Sequence, residues 1–180
     1  MKLASSHLQE LRGARLVETR RDGRFIFYRV ADNDVVKLLV SLRLLAEQRL
    51  ANVQETLQGY AHSRENMTTL GRRELIEKAE SGEVIVIDVR PRDEFEAGHL
   101  PNARSEPIAE LKKMIGKLPK SKEIVVYCRG AYCILSRDAV NSLRRKGYRA
   151  TQLSEGISEW IAAGVRLVRG CKNSDERTSP

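Results

Sequence analysis

The chain has 180 residues, 41% hydrophobic and 31% charged, which is enough for one large or two small folded domains. No apolar stretch approaches the length of a membrane span, and the opening residues MKLASSHLQELR lack the apolar region of a secretory signal. The net charge of +8 permits nucleic-acid binding, but a solubility role accounts for it equally well. Three cysteines are an odd number, so we expect free thiols in a reducing cytoplasm rather than a disulfide framework.

Residues 1–34 predict a helix followed by a β-hairpin. The segment SSHLQELR has helical spacing of its apolar residues. The stretches 16–20 and 24–30 are rich in strand-forming residues, and Asp22-Gly23 between them is a strong turn signal.

Residues 35–64 predict one long amphipathic helix. Its apolar positions follow i, i+3, i+4 spacing, and they are Leu39, Leu42, Ala46, Leu50, Val53 and Leu57. Asp34 is placed to cap its start. A helix this long without a core of its own favours a dimer seam. The alternative is a linker helix that lies on its own domain.

Residues 69–169 predict an α/β domain with a mainly parallel central sheet flanked by helices. Apolar segments such as EVIVIDV, EIVVYC and YRATQL alternate with helical segments such as RRELIEKAE, PIAELKKMIGKL and ILSRDAVNSLRRKG. The short segment GISEWIAAG is also helical, and VRLV is a possible last strand. The polar residues 170–180 are expected to be a disordered tail.

The hexapeptide CRGAYC joins one of these strands to the next helix. Cys128 therefore falls at the carboxyl end of a strand, where open α/β sheets bind ligands. Backbone N–H groups of the turn and the positive end of the following helix dipole favour an anion there, so the thiolate of Cys128 is expected to be populated. Arg129 adds positive charge, and Gly130 allows a tight turn.

The surrounding residues narrow the chemistry. A Cys–His protease needs a base beside the thiol, but of the three histidines only His99 lies in this part of the chain, in a segment that is interpreted as a structural loop. A thiol phosphatase needs an arginine that closes the loop, and Cys133, Ile134 and Leu135 stand there instead. A zinc site needs about four ligands, so no metal is predicted, and no other cofactor either. Sulfur transfer needs only a reactive thiolate and a cradle for a persulfide anion.

Residues 69–169 resemble a single-domain rhodanese. VIVIDVRPRDEFEAGHLPNA resembles the first signature of that family, EGISEWIAAG resembles the closing one, and VVYCRG matches the strand that enters the active-site loop. The resemblance implies that Cys128 takes sulfur from thiosulfate, polysulfide or a persulfide and passes it to a thiol acceptor. The loop that cradles the persulfide consists of Arg129, Gly130, Ala131, Tyr132 and Cys133.

Several residues around Cys128 have two interpretations. Many rhodaneses end the loop with Arg or Lys, and here Cys133 stands in that place, either as a resolving thiol that forms a disulfide with Cys128 or as a small buried residue. Asp88, Arg90 and His99 either support the substrate or pin the loop after the strand. We favour the pinning role for Asp88 and His99 and leave Arg90 open.

Residues 5–30 resemble the recognition helix and wing of ArsR-type winged-helix repressors, and residues 35–64 resemble their last, dimer-forming helix. The resemblance implies that Ser5, Ser6, His7 and Gln9 face base edges. It also implies that Arg20, Arg21 and Arg24 contact phosphates. The family has further helices before the recognition helix, so we expect residues 1–34 to be a partial winged helix that binds DNA only together with such helices.

Two main functions follow from the sequence. The first is a rhodanese-type sulfurtransferase that uses a Cys128 persulfide and is attached to an ArsR-type regulator. The second is a DNA-binding regulator in which Cys128 and Cys133 form a sulfur- or redox-sensing thiol switch. A third, an inert dimer module, predicts an unreactive Cys128. In each case we expect a cytoplasmic homodimer that does not associate with a membrane.

Overall fold

The computed structural model describes residues 2–50, 67–130 and 132–170. The helices are α1 (Lys2–Gly13), α2 (Asn33–Arg49), α3 (Arg72–Glu80), α4 (Arg92–Ala97), α5 (Ile108–Met114), α6 (Ile134–Arg145) and α7 (Ile157–Ala162). A 3-10 turn, Ile115–Lys117, follows α5. The strands are β1 (Val17–Asp22), β2 (Phe25–Val30), β3 (Val84–Asp88), β4 (Arg104–Ser105), β5 (Glu123–Tyr127) and β6 (Ala150–Gln152).

The predicted helix and hairpin of residues 1–34 are present. Strands β1 and β2 pair antiparallel, from Val17 opposite Val30 to Asp22 opposite Phe25. Gly23 is the first of the two turn residues and has φ +57°, a conformation that glycine adopts without steric cost. The Asp22-Gly23 signal therefore located the turn correctly.

The N-cap of helix α2 lies two residues before the predicted cap. The side chain of Asp32, and not that of Asp34, accepts hydrogen bonds from the backbone N–H groups of Asp34 and Val35, both at 2.9 Å. The Asp34 carboxylate instead pairs with Lys37 at 2.8 Å. Helix α2 ends at Arg49, and its C-cap residue Leu50 has extended backbone (φ −100°, ψ 110°), so the prediction of one unbroken helix through residue 64 does not hold at residue 50. Residues 51–66 lie outside the described residues.

The main sheet has four parallel strands in the order β4-β3-β5-β6. Every residue of β3 is buried, which explains why residues 84–87 form a continuous apolar run in the sequence. Alternate residues point to opposite faces of the sheet: Ile85 and Ile87 pack with α5 and α6, and Val84 and Val86 pack with α3 and α7. The fold is the predicted α/β class, with a mainly parallel sheet between helices.

Three short features differ from the sequence prediction. Helix α4 and strand β4 lie in segments that were interpreted as loop or left unassigned. The segment VRLV does not form a strand, and Val168 instead makes a single antiparallel bridge with His99. None of the described helices is long and apolar enough to cross a membrane.

Candidate active site

The loop 128–133 connects β5 to α6 at the carboxyl edge of the sheet. The carbonyl of Cys128 accepts a hydrogen bond from the N–H of Ile157, at the start of α7, at 3.3 Å. The N–H of Cys133 donates to the carbonyl of Gly130 at 3.1 Å. Cys128 is thus fixed between the central strand and two helices, as its position after β5 predicted.

The structure joins the sulfur atoms of Cys128 and Cys133 in a disulfide, with the two Cα atoms 6.2 Å apart. That separation lies within the usual range for disulfides. For this pair the structure therefore differs from the expectation of free thiols, and the resolving role of Cys133 stays a prediction. Cys128 is 1% exposed, whereas Cys133 is only partly buried.

Helix α6 directs its positive end at this loop. Cys133 is its N-cap residue, and the first turn contains no acidic residue that would neutralise the dipole. The cap residue makes no side-chain hydrogen bond to the described helix. Free N–H groups and an uncompensated dipole at the start of a helix stabilise an anion nearby, which favours the thiolate over the thiol in the reduced loop.

Gly156 of the closing signature packs directly against the loop backbone. A Cβ atom at this position would lie 2.2 Å from the carbonyl group of Arg129 and from the nitrogen of Gly130. Only glycine allows α7 to approach the loop this closely. The signature glycine is therefore a steric requirement of the site.

The side chain of Arg129 is half exposed and pairs with Glu94 of α4. Its Nε donates to the Glu94 carboxylate at 3.0 Å, and its Nη2 makes a second contact with the same carboxylate. Glu94 also lies 4.0 Å from Nη1 of Arg90. Glu94 therefore anchors the active-site loop, a contact that the signature around it did not indicate.

Asp88 and Arg90 form a buried ion pair after β3. Arg90 Nη2 donates to Asp88 at 2.6 Å and to the carbonyl of Gly98 at 2.7 Å, and Arg90 Nε donates to Asp88 at 3.0 Å. Burial acts to lower the pKa of Arg90, but the hydrogen bonds and charge of Asp88 outweigh it and raise this pKa above its ordinary value. These contacts fit a role in pinning the segment that follows β3.

Two aromatic groups complete this buried layer. The ring of His99 stacks on Phe95 with 3.7 Å between centroids, and its Nδ1 lies 2.8 Å from the Phe95 carbonyl. Burial lowers the pKa of His99, so the ring is neutral at pH 7. Burial and the charge of Asp88 raise the pKa of Tyr127 well above its ordinary value. Its hydroxyl oxygen accepts from the N–H of Leu100 at 3.1 Å.

Helix α2 reaches the active-site loop, a contact that the sequence analysis missed. Arg43 Nη2 lies 2.8 Å from the Glu159 carboxylate, and its guanidinium carbon lies 5.9 Å from the ring centroid of Tyr132. Glu159 also accepts from the N–H of Gly156 at 2.6 Å. No local sequence signal marks this contact, because its partners are far apart in the chain.

A cleft with a volume of about 440 Å³ opens between α2 and the loop. Its walls come from β2 and α2 on one side and from the loop and α7 on the other. The lining residues are Val30, Val36, Leu39, Val40, Arg43, Arg129, Gly130, Tyr132, Cys133, Ser158 and Glu159.

The residues proposed to contact DNA lie elsewhere. Ser5, Ser6, His7 and Gln9 are exposed on α1, and Arg20, Arg21 and Arg24 are exposed on the hairpin. None of the seven lines the cleft. Arg20 pairs with Asp22 at 3.2 Å, so its charge is partly compensated. Ala131 of the predicted loop lies outside the described residues.

The described residues contain no group of three or more His, Cys, Asp or Glu side chains that could hold a metal ion.

Comparison with known proteins gives matches over most of the chain. The family model for the rhodanese-like domain matches residues 72–163. The HTH-type transcriptional regulator Rv0324 of Mycobacterium tuberculosis is 41% identical over 167 residues, covering 93% of this chain and 73% of that protein. A sulfurtransferase of Allochromatium vinosum is 30% identical over 91 residues, covering 50% of this chain and 83% of its own length. The crystal structure of the BH2092 protein from Bacillus halodurans aligns with a TM-score of 0.53 at 25% identity, covering 64% of this chain and 85% of that one.

Proposed function

Because this chain belongs to the family of rhodanese-like domains, we propose that it carries sulfane sulfur as a persulfide on Cys128. The observation that carries the proposal is the position of Cys128. It follows the buried strand β5 in a loop directed at the positive end of α6, with its carbonyl held by α7. This arrangement supplies fixed positive potential around one sulfur atom, as a persulfide anion requires.

The reaction begins from the reduced cysteine pair. The Cys128 thiolate attacks the outer sulfur of a donor such as polysulfide or an organic persulfide, and the donor's S–S bond breaks. The bonding electron pair leaves with the rest of the donor, and Cys128 holds the new sulfur as a persulfide. An acceptor thiolate then attacks that outer sulfur and restores the Cys128 thiolate.

The cations near the loop argue for an uncharged or singly charged donor over thiosulfate. Arg129 pairs with Glu94, and Arg43 pairs with Glu159, so both charges are compensated. Cys133 occupies the end of the loop, where a further cation would hold a dianion. We therefore rank organic persulfide donors, whose persulfide group carries at most one negative charge, above thiosulfate.

Intact-protein mass spectrometry tests the proposal. Reduced protein is exposed to polysulfide and, separately, to thiosulfate. The wild-type protein should gain one sulfur atom, and Cys128→Ser should gain none. Cys133→Ser serves as the matched control and should still gain sulfur. Sulfur uptake by Cys128→Ser equal to that of the wild type would refute the assignment.

A second function, regulation of transcription, is favoured by a separate observation. Arg43 of helix α2 contacts Tyr132 of the sulfur loop and Glu159 of α7, and the relative at 41% identity is named a transcriptional regulator. In this function the Cys128–Cys133 pair is a thiol switch, and α2 transmits its state to an ArsR-type DNA-binding head. The exposed basic residues of the hairpin would contact phosphates.

Selection of duplexes from a random DNA library by the reduced and the disulfide forms of a version that also carries the further N-terminal helices of a winged-helix domain tests this function. The affinity of each form for the selected DNA is then measured at a fixed salt concentration, because phosphate contacts make DNA affinity depend on salt. The switch predicts different affinities for the two forms. Equal affinities, or no selected sequence with either form, would contradict it.

A further inference from the structure

We infer that the cleft between α2 and the loop admits a small organic thiol with an apolar group, and that this thiol opens the Cys128–Cys133 disulfide at Cys133. The inference rests on the proposed function in one respect: the cysteine pair must be reduced before Cys128 can accept sulfur. It adds a binding site, a chemical class of ligand and the sulfur atom at which that ligand reacts.

The wall contributed by β2 and α2 is mainly apolar. Val30, Val36, Leu39 and Val40 line this side, and the ring of Tyr132 lies on the other. Leu39 is 54% exposed, so part of its side chain remains available for contact with a ligand. A volume of about 440 Å³ lies in the range of small-molecule sites and has room for an organic group in addition to one sulfur atom.

The charged groups of the cleft are already paired with one another or with neighbours. Arg43 contacts Glu159 at 2.8 Å and Glu47 at 3.3 Å. Arg129 pairs with Glu94. A multiply charged anion would have to break one of these pairs, whereas an apolar group gains by leaving water and disturbs none of them. The lining therefore selects ligands by apolar contact.

Access decides which sulfur atom reacts. Cys133 lines the cleft, whereas Cys128 is 1% exposed and belongs to the apolar core. Thiol–disulfide exchange requires the incoming thiolate to reach a sulfur atom, so attack from the cleft takes place at Cys133.

The ligand thiolate forms a bond to Cys133 Sγ, the Cys133–Cys128 bond breaks, and its electron pair leaves on Cys128 as a thiolate. A second ligand thiolate then attacks the ligand sulfur of the mixed disulfide and releases Cys133 as a thiolate. Two ligand thiols are oxidised to one disulfide, the cysteine pair gains two electrons, and the thiol protons pass to solvent.

The first experiment compares two thiols of similar acidity, phenylmethanethiol and 2-mercaptoethanol, in opening the disulfide of the oxidised protein. We expect phenylmethanethiol to react about tenfold faster at equal thiolate concentration, because its ring leaves water in the cleft. Equal rates, or failure of both thiols under conditions in which an excess of dithiothreitol opens the bond, would overturn the inference.

Two leucine variants localise the effect. Leu39→Ser removes an apolar group from the cleft and should bring the preference for phenylmethanethiol close to one. Leu42→Ser is the matched control, since Leu42 lies on the same helix, is 60% exposed and does not line the cleft. It should keep the full preference. The same loss in both variants would mean that the site is not this cleft.

Trypsin identifies the sulfur that is attacked, because Arg129 separates the two cysteines into peptides 123–129 and 130–137. The reaction is stopped with acid, and free thiols are alkylated. Phenylmethanethiol should appear on peptide 130–137, with alkylated Cys128 on peptide 123–129. The reverse distribution would contradict attack at Cys133.

The two proposals fail separately. Sulfur loading is measured on protein that has already been reduced, and thiol selectivity is measured on the disulfide form without a sulfur donor. Loading at Cys128 together with equal thiol rates would overturn only the inference about the cleft. Selective opening without any loading would overturn only the sulfur-carrier function.

Discussion

Gly156 shows how a single backbone position determines whether the sulfur loop can form. The space that a Cβ atom would occupy is filled by the backbone of Arg129 and Gly130, at 2.2 Å. Gly156→Ala should therefore displace the loop and reduce the free energy of unfolding by about 1–3 kcal/mol, the usual cost of overpacking. Sulfur uptake at Cys128 should fall as well.

Urea unfolding and intact mass after polysulfide treatment measure the two effects of this substitution. Gly116→Ala is the control, because a Cβ atom there meets nothing within 4 Å and the site is remote from the loop in sequence. A Gly156→Ala protein with unchanged stability and sulfur uptake would show that the loop tolerates a shift of α7.

At the scale of residues, the sequence predicted which residues belong to the candidate site better than it predicted which residues contact one another. Cys128 and Cys133 could be assigned because a strand, a turn and a helix follow one another in the chain, and this order places them at the edge of the sheet. The Glu94–Arg129 and Arg43–Glu159 pairs could not be assigned, because they depend on how distant segments pack. Charged residues are also common on exposed surfaces, so their type alone gave no signal.

At the scale of elements, the start of α2 provides a test of helix capping. Asp32 accepts two backbone hydrogen bonds, whereas the neighbouring Asp34 pairs with Lys37. Asp32→Ala should destabilise α2 by about 1 kcal/mol, because the first N–H groups of the helix lose their acceptor. Amide hydrogen exchange at residues 34 and 35 should become faster.

Asp34→Ala is the matched control for that prediction. It removes a carboxylate from the same turn but leaves both cap hydrogen bonds intact, so exchange at residues 34 and 35 should change less. Faster exchange in Asp34→Ala than in Asp32→Ala would mean that the charge near the helix dipole matters more than the cap.

The length and burial of a helix or strand determined whether it could be predicted from the sequence. Strands β3 and β5 were found because a strand buried on both faces is an unbroken apolar run. Helix α4 has six residues and β4 has two, which is too short for either periodicity to appear. The cap at Asp32 was missed by two positions, since Asp32 and Asp34 are chemically equivalent in the sequence.

At the scale of the whole molecule, α2 connects the sulfur site to a surface without a described partner. Its inner side carries Val40 and Arg43, which lie toward the cleft. Another side presents Leu38, Leu42 and Leu45, which are 62%, 60% and 50% exposed. This spacing of i, i+4 and i+7 gives one continuous apolar stripe along the helix. A dimer formed through this stripe would hold two sulfur loops at fixed positions relative to each other.

We place the seam of the predicted homodimer on that stripe, which shares only Leu42 with the apolar positions predicted from the sequence, because Leu39 lines the cleft. A symmetric pair of α2 helices buries the leucine stripe of both protomers, and complete burial of an exposed leucine gains roughly 1.5–3 kcal/mol. Because these leucines are 50–62% exposed before association, the six together gain roughly 5–10 kcal/mol, which is comparable to the cost of association, about 4–15 kcal/mol. Because this balance is close, Leu42→Glu should convert the dimer to a monomer in sedimentation equilibrium, since each interface would contain two carboxylates. Leu44→Glu makes the same replacement about 160° further round the helix, at a leucine that is 44% exposed, and should remain dimeric. A wild-type protein that sediments as a monomer at every concentration would refute the seam and leave α2 as a helix that serves only its own sulfur site.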